Sequence, residues 1–112
     1  MTTYFVSRHA GAIAWARRHA LAIDTWVDHL DTGKLRPGDS VTGTLPIHLV
    51  ADVCARGATY LHLQFDMSAQ QRGRELDADD LDALGARLVG YCVSETAAGF
   101  TESKRLKDEP NG

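Results

Sequence analysis

Cysteine is scarce in this chain of 112 residues: Cys54 and Cys92 stand alone, with no C-x-x-C spacing. That excludes a disulfide scaffold and the paired-cysteine redox motifs. Charge of one sign is also missing. Twelve Lys and Arg face 15 Asp and Glu, for a net charge of −3, so the chain is no general coat for duplex nucleic acid, which needs a basic face. No apolar run approaches the ~18 residues of a membrane span. The opening Met1 to His9 has no basic start followed by a long apolar stretch, so it does not read as a signal peptide. The expectation is a cytoplasmic protein with reduced, buried thiols and no membrane contact. What is present is a core: 44% of residues are apolar and net charge per residue is small, which excludes disorder for the body and suits one domain.

Short β-branched and aromatic runs alternate with helical ones. Thr3 to Ser7 reads as a first strand and Ala12 to Leu21 as an Ala-rich helix, with Ile13, Trp15 and Ala16 inward. Ile23 to Leu30 is expected to be a second strand. Arg36-Pro37-Gly38-Asp39 fits a type II turn, Ser40 to Leu45 a third strand, and Ile47 to Arg56 a helix opened by Pro46 and closed by Gly57. Ala58 to Asp66 is the clearest strand, with Leu61, Leu63 and Phe65 alternating with polar partners. Asp77 to Arg87 reads as a helix, and Leu88 to Val93 continues it or forms another strand. The expected organisation is a single α/β domain over 1–93 and a flexible tail over 94–112.

Strands alternating with helices predict a small Rossmann-like α/β fold, a mostly parallel sheet with helices on both faces. Ligands in such folds sit at the carboxyl ends of strands, at the switch point. That rule selects Ser7–Gly11, Gly43–Pro46 and Asp66–Glu75. The first loop offers a hydroxyl, a guanidinium and an imidazole in Ser7-Arg8-His9, then Gly11 at a helix start, where free N–H groups attract anions. Thr44 in the second loop either meets a ligand oxygen or caps a helix, and His48 sits in the first helical turn. The third loop, Gln70-Gln71-Arg72-Gly73-Arg74-Glu75, concentrates positive charge in an acidic chain. It either closes over a phosphodiester or pairs with the acidic helix that follows. There is no G-x-G-x-x-G and no Walker A, so dinucleotide and triphosphate binding are not indicated. The run Asp77-Ala-Asp79-Asp80-Leu-Asp82 lacks the features of an EF-hand loop and reads as carboxylates favouring a helix N-terminus. No metal-ligand spacing stands out, and neither a metal nor a cofactor is expected. Trp15 and Trp26 read as core residues, and His62 as a residue of a polar strand face.

The blocks Ser7-Arg8-His9-x-Gly11-Ala12-x-x-Trp15, Pro37-Gly38-Asp39, Gly43-Thr44-Leu45-Pro46, Val53-Cys54-x-Arg56-Gly57-Ala58-x-Tyr60-Leu61-His62-Leu63 and Arg72-Gly73-x-Glu75-Leu76 resemble a small family of CRISPR-associated accessory proteins, of the Csx series, found with type III systems. The resemblance covers roughly residues 3 to 93 and not the tail. It implies a CARF-like fold and an association with cyclic oligoadenylate, chiefly cyclic tetra-adenylate, which related proteins bind and several cleave as ring nucleases.

On that resemblance the roles are placed by chemistry. Arg8 and Arg72 bind the scissile phosphate and His9 acts as general acid or base. Ser7, Gly11, Gly43, Thr44, Arg74 and Glu75 hold the ligand. Cleavage would need no metal: the ribose 2′-OH attacks its own phosphodiester, and positioning and electrostatics supply most of the acceleration. A homodimer would present these loops twice around one ring. The competing readings are a binder that sequesters the ring without cutting it, a nucleotide- or sugar-phosphate-processing enzyme, and a structural partner of another CRISPR protein.

Overall fold

Tyr4 and Val6 point one way along the first strand and Phe5 the other, so both faces of the strand are buried. In the computed structural model, which describes residues 1–66 and 74–99, this strand, β1 (Thr3–Val6), lies inside a five-stranded sheet. It is followed by α1 (Ala10–Arg18), β2 (Thr25–Val27), a 3₁₀ turn (Thr32–Lys34), β3 (Ser40–Gly43), α2 (Ile47–Ala55), β4 (Thr59–Gln64), α3 (Ala78–Ala83) and β5 (Arg87–Tyr91). The strand order is β2-β1-β3-β4-β5. The first four strands run parallel and β5 runs antiparallel to β4. This is the mostly parallel, Rossmann-like α/β sheet that the pattern predicts.

One face of the sheet packs on α2 through Val6, Val41, Val50, Val53 and Tyr60. The other packs on α1 and α3 through Phe5, Trp15, Ala16, Leu63 and Leu81. Helices therefore cover both faces. The thiols are not both buried as expected: Cys54 is half-buried against the core on the α2 side and Cys92, just past β5, is exposed. At the edge of the second face the Trp26 ring lies 5.2 Å from Phe5 and under the Arg17 guanidinium, so both tryptophans are packed.

The expected boundaries shift where tertiary contacts outweigh local pattern. The second strand is Thr25–Val27 rather than Ile23–Leu30, because only those residues pair with β1. The first helix is Ala10–Arg18 rather than Ala12–Leu21; Ala20 turns left-handed, with φ 54°, and ends it. The helix expected over Asp77 to Arg87 stops at Ala83, and Arg87 instead pairs with Gln64 at the start of β5. The strand alternative for the last segment is the one adopted. Its direction follows from length. The six residues of α3 rise about 9 Å, less than half the ~20 Å of a six-residue strand such as β4. Leu84 accepts a hydrogen bond from the Asp66 N–H, 3.0 Å, so the chain has come back to the carboxyl end of β4 and re-enters the sheet from there.

Candidate functional site

β1 and β3 are neighbours, yet the chain leaves them toward opposite faces: α1 follows β1 on one side and α2 follows β3 on the other. The divergence opens a crevice beyond the carboxyl ends of the two strands, the switch point of the sheet. A cleft of about 600 Å³ lies there. Its polar lining is Ser7 and His9 after β1, Gly43 and Thr44 at the end of β3, and Arg74 and Glu75 before α3. Its apolar lining includes Phe5, Leu63, Phe65, Leu76 and Leu81.

Six of the nine residues singled out in the sequence therefore meet around one space. The other three sit differently. Arg8 is exposed on the β1–α1 connection and does not line the cleft. Arg72 falls outside the described residues. Gly11 is buried against the chain before α3: a Cβ there would stand 1.8 Å from the Leu76 carbonyl oxygen. Its missing side chain lets Leu76 approach α1. Gly43 does the same between strands, since a Cβ would stand 2.6 Å from the Val6 carbonyl oxygen. Both glycines thus set the spacing of elements that bound the cleft.

The charge around the cleft comes from backbone as well as side chains. Ser7 Oγ accepts the His9 N–H at 3.0 Å, which turns the chain into α1. His9 is the N-cap of α1 and makes no side-chain capping bond; the Pro46 N-cap of α2 makes none either. Neither helix carries an acidic residue in its first turn. No carboxylate of either helix's own first turn offsets the partial positive charge of its N-terminus. α3 is the contrast: Asp77 and Asp80 form a reciprocal capping box, and Asp79 and Asp80 lie in its first turn. There the carboxylates sit as the sequence predicts. Backbone hydrogen bonding from Asp77 and the nearby Arg74 hold the Asp80 carboxyl below the usual range. Arg74 reaches Asp80 at 3.2 Å, so this cleft residue is also tied to the acidic helix. Thr44 caps nothing and is exposed, as is His48.

Sequence reasoning missed the residues behind the loops. The Tyr60 phenol, 2% exposed as a residue, donates to the Gly43 carbonyl at 2.9 Å. It accepts the Leu45 N–H at 2.9 Å, and His62 Nδ1 lies 2.8 Å from it. Burial pushes the phenol's pKa up, the Leu45 N–H opposing, so the hydroxyl keeps the proton it donates. The apolar lining was half visible: Leu63 and Phe65 belong to the strand face already marked by alternation. Leu76 enters the sequence reading only within a block of the resemblance, and nothing local marks Leu81. Among the described residues no group of three or more His, Cys, Asp or Glu is arranged to hold a metal ion, and no helix is long and apolar enough to cross a membrane.

Comparison with curated proteins and with solved structures finds no significant match. A family model described as "Putative CRISPR-associated protein (Cas_VVA1548)" matches residues 4–94, most of the chain, and the chain belongs to that family.

Proposed function

We propose that this CRISPR-associated protein is a cytoplasmic ring nuclease that binds cyclic oligoadenylate, chiefly cyclic tetra-adenylate, cleaves it without a metal, and so switches off type III signalling. The observation that carries this reading is the convergence of Ser7, His9, Thr44, Arg74 and Glu75 on one cleft at the switch point of the sheet. Two helix N-termini at the same end of the sheet, with no acidic residue in their own first turns, add to the attraction for an anion. The apolar lining suits a purine face, and the polar residues suit ribose and phosphate.

In this reaction the ribose 2′-OH attacks the adjacent phosphorus. The P–O5′ bond breaks, leaving a 2′,3′-cyclic phosphate and a 5′-hydroxyl. A proton leaves the 2′-OH and one reaches the leaving 5′-oxygen; His9 carries one of these transfers and water the other. Arg74 and the N–H groups at the start of α1 stabilise charge on the phosphorane. Arg8, exposed beside the cleft rather than lining it, adds positive charge at longer range, Arg72 keeps the phosphate role that the resemblance implies, and Ser7, Thr44 and Glu75 orient the ring.

The test is incubation with cyclic tetra-adenylate in the presence of EDTA, then chromatography of the denatured mixture. Linear adenylates ending in a cyclic phosphate are expected. His9→Ala should lower kcat about 10²- to 10⁴-fold, and Arg8→Ala and Arg72→Ala should weaken cleavage. A ring recovered intact but retained by the protein would replace the nuclease with a sequestering binder. No retention at all would discard the reading for this ligand.

A further inference from the structure

The Tyr60 hydroxyl has three neighbours and one proton. The Gly43 carbonyl can only accept and the Leu45 N–H can only donate. The phenol proton therefore goes to Gly43, at 2.9 Å, and its lone pairs face Leu45 and His62 Nδ1, at 2.9 and 2.8 Å. His62 Nδ1 must then carry a hydrogen. For the neutral ring the network assigns His62 the Nδ1–H tautomer, with Nε2 left as the acceptor.

The consequence lies one residue away. Gly43 and Leu45 flank Thr44, which lines the cleft. One buried phenol thus fixes the peptide groups on both sides of a cleft residue, from the opposite face of the sheet. On its other side Gly43 is paired with Val6 of β1, so close that a Cβ would meet the Val6 carbonyl. We propose that Tyr60 is a positioning residue of the candidate site: its hydroxyl clamps the Gly43–Leu45 turn so that Thr44 faces the ligand, and His62 braces the hydroxyl through Nδ1–H. This rests on the ring-nuclease reading for its functional consequence. The clamp itself rests on geometry alone.

Tyr60→Phe keeps the ring and removes the hydroxyl. Near-attack alignment is sensitive to displacements of about an ångström, so kcat on cyclic tetra-adenylate should fall up to about 100-fold. The Leu45 amide should be protected from hydrogen exchange in the wild type and exchange faster in the variant. In ¹⁵N spectra the wild-type His62 should show a protonated Nδ1, and Tyr60→Phe should lose that bias. His62→Asn, which can still donate from the same position, should keep kcat and Leu45 protection better than His62→Ala. An Nε2–H tautomer or an unprotected Leu45 amide in the wild type would remove the clamp. Unchanged kcat in Tyr60→Phe, with the clamp seen, would remove the positioning role. A wild-type protein that cleaves no ring would sink the function reading and the positioning role together, while the exchange and tautomer data would still decide the clamp.

Discussion

Asp82 of α3 meets three side chains at the end of α1. One carboxylate oxygen takes the Trp15 indole N–H at 2.9 Å and the His19 Nε2 at 2.7 Å, and the other takes Arg18 at 3.0 Å. His19 first, then Arg18, hold the carboxyl below its usual range. Because the folded carboxyl binds its proton more weakly than the unfolded one, its contribution to stability is present above about pH 4 and fades as the pH falls through the lowered value. Asp82→Asn should therefore flatten the acid side of a stability–pH profile measured by urea denaturation. Parallel profiles for the two proteins would remove Asp82 from that role. Gly11 belongs to the same scale. Any side chain there collides with backbone, so Gly11→Ala should cost about 1–3 kcal/mol, read as a lower urea midpoint at unchanged slope. In the sequence Asp82 looked like its neighbours Asp77, Asp79 and Asp80, which do serve the helix start. Its partner Trp15 lies 67 positions away, and no local pattern carries such a pairing. Ser7, His9 and Thr44 were legible for the opposite reason: their place follows from the strand each one ends.

The three helices all stop in one way. In each, the residue after the C-cap turns left-handed and two N–H groups bond back into the last turn, as with Ala20 to Arg17 and Leu21 to Ala16 at the end of α1. α2 and α3 put Gly57 and Gly85 at that position, and α1 puts Ala20 there at φ 54°. An L-residue in that region costs about 1–2 kcal/mol, part of which glycine returns through the greater freedom of its unfolded chain. Ala20→Gly should therefore stabilise the protein by about 0.5–1 kcal/mol, seen as a higher urea midpoint. A lower midpoint would mean that the Ala20 methyl makes contacts worth more than the strain. The same comparison explains which boundaries the sequence revealed. Gly57 marked the end of α2 correctly. α1 carries no glycine at its end, and its pattern runs on to Leu21. Gly85 lies inside a stretch whose pattern reads as helix to Arg87, so the pattern alone makes α3 too long. The antiparallel entry of β5 was hidden with it, since it depends on how short α3 is.

At the scale of the whole molecule, the alternation of elements carried the layer architecture and, through the switch-point rule, the location of the cleft. It did not carry the number of clefts that act together. One chain offers a cleft of about 600 Å³, a volume usual for a single small ligand. A ring of four nucleotides is larger than that. Under the proposed function two copies related by a two-fold axis would set two clefts against alternate nucleotides of the ring, whose own symmetry contains a two-fold. Three consequences are expected. Native mass spectrometry should find one ring for every two chains. Each ring should be cut at two opposite phosphates, with linear tetra-adenylate as a transient and di-adenylate ending in a cyclic phosphate as the final product. Binding should weaken as salt rises, because a chain of net charge −3 attracts a polyanion only through local positive charge that ions screen over about 8–10 Å. A monomer that holds one ring and accumulates linear tetra-adenylate would overturn the two-fold arrangement and would leave one cleft to perform the whole reaction.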